Sequence, residues 1–119
     1  MKTWAVIILP GAEADIRRIY DYISATLLEP TIAGRFIERV KKAIQSLDTM
    51  PERYRLYDKK PWRSKGLRLF SVGSYVVFYH VAQEVDVVYV DAVLYGARDL
   101  ERALGKMQVP NLDENQSDC

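Results

Sequence analysis

Seven cations, Arg53, Arg55, Lys59, Lys60, Arg63, Lys65 and Arg68, are crowded between Glu52 and Arg68, with Glu52 and Asp58 as the only acids among them. Side chains of this kind hold anionic groups and steady charge as it develops in a transition state. Acid and base chemistry would need partners for them. The chain offers one histidine, His80, and the hydroxyls of Tyr75, Tyr79 and Tyr95. His80 lies in a strand-like run whose alternation permits either face, so its simplest reading is an ordinary strand residue. Strand tyrosines are in the same way read first as sheet packing and a charged loop as solvated surface. Asp91 interrupts an apolar run and is read as an outward residue, because a buried carboxylate there would need a partner such as Arg98 or Arg68. No second acid stands ready for a carboxylate pair. With one histidine and one cysteine, no metal site is expected, and no cofactor.

Composition narrows the setting. The chain has 119 residues, 49% of them hydrophobic, and a formal net charge of +1. That is enough for one domain with a single core, and no whole-molecule charge argues for nucleic acid or membrane. The near-neutral total combines the basic loop with an acidic end carrying Asp113, Glu114 and Asp118. Cys119 is the sole cysteine, which excludes an internal disulfide. No window approaches a membrane span, and the apolar run Trp4 to Leu9 is too short for a signal segment. A cytoplasmic location and no membrane partner are therefore expected.

The periodicities then place these residues. Trp4 to Leu9, closed by Pro10-Gly11, reads as a buried first strand. Ala12, Ile16, Ile19, Tyr20, Ile23 and Leu27 form the stripe of a first helix. Glu29-Pro30 breaks it and starts a second, with the stripe Ile32, Phe36, Ile37, Val40, Ala43, Ile44 and Leu47. Two helices so joined should form a hairpin. Met50 to Lys65 has no period and reads as a long connection. Leu67 to Val72, Tyr75 to Val81 and Val85 to Leu94 follow as a three-stranded antiparallel meander. A short helix over Asp99 to Leu104 would close the chain. The expected fold is α+β, in the order β-α-α-β-β-β, with the helical hairpin on one face of a four-stranded sheet and the first strand beside the last. Residues 1–106 form the domain, and 107–119 an acidic, flexible tail.

Three pieces of this chain together resemble a known family. They are Pro10-Gly11-Ala12-Glu13-Ala14-Asp15-Ile16 with Tyr22-Ile23, then Pro30-Thr31-Ile32-Ala33, then Gly66-Leu67-Arg68 through Tyr75-Val76-Val77-Phe78-Tyr79 to Gly96-Ala97-Arg98-Asp99. In this order and spacing they resemble the RelE/ParE superfamily of toxins from type II toxin-antitoxin systems, across roughly residues 4 to 104. The resemblance implies a toxin that arrests growth when free and is neutralised by a cognate antitoxin.

Members with this fold differ in target: RelE-like toxins cleave messenger RNA on the ribosome, and ParE-like toxins inhibit DNA gyrase. For a ribonuclease, the resemblance assigns catalytic roles to Arg68 and Arg98. It also leaves two gaps, since Val76 stands where the third strand of RelE-like enzymes usually carries arginine and Leu104 where a tyrosine is expected. The incomplete set favours the ParE-like branch, with the mRNA endoribonuclease and a non-toxic binding module on the same scaffold as alternatives. Arg63, Lys65, Arg68, Tyr95 and Arg98 are the expected target-binding residues. Tyr20, Tyr22 and Phe36 are the expected anchors for an antitoxin helix, with an open sheet edge as a second docking surface.

Overall fold

The computed structural model describes residues 2–96. Arg98, the short helix expected over Asp99 to Leu104 and the acidic tail lie outside the described residues. Strand β1 (Ala5–Ile8) leads into helix α1 (Pro10–Asp21), which widens into a π-helical turn at Tyr22–Thr26. Helix α2 (Pro30–Gln45) follows, then β2 (Arg68–Val72), β3 (Tyr75–Ala82) and β4 (Val87–Tyr95). Proline occupies the first turn of both helices, where its missing amide would have had no helical partner and its fixed φ suits the helix.

The strand order is β1-β4-β3-β2. β2, β3 and β4 form the antiparallel meander, and β1 pairs parallel with β4 from Ala5 opposite Val87 to Ile8 opposite Val90. The expected architecture is therefore the one observed. Helices α1 and α2 set Ala12, Ile16, Ile19, Val40 and Ile44 against the inward residues Phe70, Val72, Val77, Tyr79, Val88, Val90 and Val93. Tyr79 is fully buried in this layer and donates its hydroxyl to the Pro51 carbonyl at 2.6 Å.

Several local expectations are corrected. β1 is an edge strand, so Ala5 and Ile7 are exposed while Val6 and Ile8 are half-buried, and the strand is not enclosed on both faces. Leu27 and Ile32 belong to the helical stripes by spacing, yet both are half exposed, because they line an open cavity rather than the core. The long connection is better ordered than its lack of period suggested. Leu56 bridges Arg68 beside β2, fixed by bonds from the Tyr57 amide to the Leu67 carbonyl (2.7 Å) and from the Leu69 amide to the Arg55 carbonyl (3.1 Å). Tyr57 and Trp62 then pack with Leu67, Leu69, Phe78 and Ala92 on the sheet face opposite the helices.

Asp91 is the largest departure. It is buried and bonded to His80, because the ladder slips between β3 and β4: Phe78 pairs with Ala92 while the next residue, Tyr79, pairs with Val90. Asp91 is the extra residue of this bulge. Its partner is neither Arg98 nor Arg68.

Candidate functional site

The π-turn shapes a concave surface at the corner between the two helices. Its wide turn is closed by the Leu27 amide on the Tyr22 carbonyl at 3.1 Å, and Leu28, at φ 58, then reverses the chain into α2. A cavity of about 1060 Å³ opens between this corner, the start of α2 and the ends of β3 and β4. Tyr22, Leu27, Ile32, Phe36, Tyr75 and Tyr95 line it. Their rings form a row, with Phe36 and Tyr75 centred 5.3 Å apart and Tyr75 and Tyr95 5.2 Å apart. Burial, and then the neighbouring Tyr95 and Tyr22 phenols, push the Tyr75 hydroxyl above its ordinary pKa. Tyr22 is 51% and Tyr95 58% exposed, so aromatic surface stands ready for a partner.

The floor depends on Gly73. Its φ is +60, and a Cβ there would meet Phe36 Cε1 and Arg39 Nη2 at 3.3 Å each.

One wall of the cavity is pinned by a carboxylate. β1 ends opposite Val90 before reaching Val93, and the Val93 amide donates instead to Asp15 Oδ2 at 3.0 Å, with Arg18 paired to the other oxygen. Burial raises the pKa of Asp15, against the lowering effects of the Val93 amide and Arg18. The sign follows: the stability this raised group contributes is complete below the unfolded value of 3.8 and is lost as pH rises through the higher folded value. Asp15→Ala, which leaves the amide unpaired, is expected to cost about 1–3 kcal/mol in urea unfolding. Asp15→Asn keeps an acceptor and removes this titration, so the variant should lose less stability than wild type as pH rises from 3.8 through the higher folded value.

The basic residues divide into two groups. Arg68 sits opposite Tyr79 on the helix-facing side of the sheet, and its Nη1 donates to the carbonyls of Tyr54 (2.6 Å) and Glu52 (3.2 Å). Arg53 likewise donates to the Thr49 and Met50 carbonyls and to Ser46 Oγ. Both brace the connection. Arg63 is exposed and Lys65 half-buried, on the turn that follows. Val76 lies on the other face, packed against the cluster that holds Trp62.

Among the described residues, the buried histidine–aspartate pair has the form of acid–base machinery. His80 Nδ1 and Asp91 Oδ2 are 2.8 Å apart, and the imidazole stacks on Tyr89 at 5.4 Å. Burial raises the Asp91 pKa, and the bond to His80 offsets part of that. His80 Nε2 and Asp91 Oδ1 have no hydrogen-bond partner. The pair lies across the sheet from the Arg68 head, so the two do not share a site. Asp91→Ala alone strands a buried imidazole and is expected to cost about 1–3 kcal/mol, whereas His80→Leu combined with Asp91→Val should cost less than the sum of the single changes, as a double-mutant cycle in urea would measure.

Of the residues marked in the sequence, Tyr22, Phe36 and Tyr95 meet in the groove, so residues expected to contact antitoxin and target share one surface. Tyr20 is 39% exposed but does not line it. Tyr75, the centre of the aromatic row, was read only as a sheet or proton-donating tyrosine; its position two residues after Gly73 was the available signal. Among the described residues no group of three or more His, Cys, Asp or Glu is placed to hold a metal, and no helix is long and apolar enough to cross a membrane.

Comparisons with known proteins bear on the fold and the family. No curated protein matches the sequence. Among solved structures, the chain is similar to a chromosomal ParDE toxin-antitoxin system from P. aeruginosa, with TM-score 0.65 and 14% identity over 79% of this chain and 97% of that one. It is similar also to the RelBE2 toxin-antitoxin complex of Mycobacterium tuberculosis, with TM-score 0.57 and 20% identity over 82% and 95% of the two chains. A mutant E. coli RelE toxin in the free state gives TM-score 0.57 and 17% identity over 89% of this chain and 99% of that one. At these identities the likeness is one of fold. Residues 6–100 match the sequence profile of the ParE toxin of the type II toxin-antitoxin system parDE, which is most of the chain, and the protein belongs to that toxin family.

Proposed function

We propose that this protein is a growth-arresting toxin that acts by inhibiting DNA gyrase and is neutralised by a cognate antitoxin whose apolar helix seats in the Tyr22–Phe36–Tyr75–Tyr95 groove. The observation that carries the antitoxin part is the groove itself: about 1060 Å³, lined by four aromatic rings, at the tip of a helical hairpin. A surface of that shape takes an amphipathic helix through anchors at helical spacing.

The gyrase part is supported by the family match and by the division of residues that ribonuclease chemistry would need. Arg68 directs its Nη1 to backbone carbonyls, His80 is buried on the opposite face, and Val76 supplies no charge. The ribosome-dependent mRNA endoribonuclease remains the second reading, favoured by the fold shared with RelE. Inducing the chain in cells separates the two. DNA breaks and a damage response with intact transcripts are expected, and rapid codon-positioned mRNA cleavage would overturn the gyrase reading. Co-purification of a small protein encoded beside this one tests the antitoxin part.

A further inference from the structure

Three cations of the basic connection have no work in the fold. Arg55, Lys60 and Arg63 are exposed, and the side chain of none of them has a hydrogen bond or ion pair among the described residues. Arg53 and Arg68 brace the backbone, and Lys59 and Lys65 are already engaged. The frame under the three is firm. The amides of Arg63, Lys65 and Gly66 close on the carbonyls of Lys59, Trp62 and Arg63 at 3.0–3.1 Å, and Ser64 Oγ donates to the Pro61 carbonyl at 3.0 Å. Arg55 is tied to the edge of β2 through its carbonyl at 3.1 Å. Cations held on such a frame lose little freedom when they meet an anion.

The geometry points to a second binding surface, made by Arg55, Lys60 and Arg63, that holds the phosphodiester backbone of a nucleic acid independently of the groove. Its position supplies the independence. The basic turn joins β2 at Arg68, whereas the groove lies at the other end, beyond Val72 at Ser74 and Tyr75. Five strand residues, roughly 16 Å, separate them. The chemistry favours phosphodiester over a lipid surface, because Trp62 packs into the sheet and the turn presents charge without an apolar wedge. Among nearby carboxylates, Glu52 is already bonded to Gln83, leaving Asp58 as the local competitor. Contacts of this kind read no sequence.

The inference goes beyond the proposed target, and its test contains neither gyrase, ribosome nor antitoxin, so its failure would leave the toxin reading intact. Fluorescence anisotropy with the full chain would use a labelled DNA duplex and, separately, a labelled single-stranded RNA, each of about 20 nucleotides in length, across about 50–200 mM KCl. The expected slope of log affinity against log salt is about −2 to −3, as for roughly three neutralised phosphates. Arg55→Glu, Lys60→Glu and Arg63→Glu together should lower affinity about tenfold or more and take the slope toward zero, and the milder glutamine set should remove about one unit of slope per residue. Arg17→Glu, Lys41→Glu and Lys42→Glu on the helices make the same change in net charge and should leave affinity within about twofold. Binding to either polymer supports the surface, and preference for one identifies its source. No salt-dependent binding to either, or equal losses in the loop and helix variants, would overturn it.

Discussion

Replacing Tyr22 and Tyr95 together with glutamate is expected to weaken capture of the antitoxin by about 100-fold or more, some 2.7 kcal/mol, while leaving thermal unfolding almost unchanged. The asymmetry comes from where the rings stand. Both are more than half exposed in the free chain, so the fold tolerates a charge there. A bound helix would bury that charge against Phe36 and Tyr75, and burying an unpaired carboxylate is strongly unfavourable. Arg18, the cation on the groove wall, is already paired to Asp15. Tyr20→Glu is the matched control: the same substitution on the same helical hairpin, outside the groove, should change affinity by less than about threefold. In cells, wherever the double variant still arrests growth, co-expressed antitoxin should no longer relieve the arrest. Undiminished affinity in calorimetry would place the antitoxin elsewhere.

Tyr79 should give the largest loss of stability. It is completely buried, packs edge-on to Phe70 and Tyr54, and ties β3 to the connection through the Pro51 carbonyl. Tyr79→Ala is expected to cost about 3–5 kcal/mol in urea unfolding, from lost transfer free energy and the cavity left behind. Tyr79→Phe isolates the hydroxyl; it retains the ring and leaves the Pro51 carbonyl unpaired, for about 1–2 kcal/mol. A pH signature separates this hydroxyl from simple packing. Burial dominates the opposing influence of Arg68 and Arg53 and raises the Tyr79 pKa from 10.0 to about 12. Because the folded value is raised, the contribution of this group is complete below pH 10.0 and is lost as pH rises toward 12. Wild type should therefore lose stability faster than Tyr79→Phe across that window.

The fold was largely legible because each of its elements carries a strong local signal. Pro10 and Pro30 mark both helix starts, Gly73-Ser74 marks the β2–β3 turn, and runs of β-branched residues mark the strands. What stayed hidden depends on relations between elements. The spacing of Leu27 and Ile32 cannot show that they line an open groove instead of joining the core. The bulge that buries Asp91 is masked because Val85 to Leu94 is apolar at almost every position, so a slip from two-residue to three-residue spacing between Val90 and Val93 raises no contrast. Arg68 was recognisable as a family position, but its service to the Glu52 and Tyr54 carbonyls follows from how the connection folds back along β2. Tyr57 and Trp62 give that connection its order by covering the outer face of the sheet.

On the proposed function, the folded chain itself inhibits gyrase and filling the groove relieves the inhibition. The most direct measurement is supercoiling of relaxed plasmid by purified gyrase with the purified chain added, alone and pre-mixed with its antitoxin. Dose-dependent loss of supercoiling is expected with the chain alone, recovery with antitoxin, and loss of that recovery for the Tyr22→Glu, Tyr95→Glu variant wherever the variant still inhibits. Full supercoiling at every concentration of the free chain, together with mRNA cleavage when the same preparation is added to translating ribosomes, would contradict the proposed function.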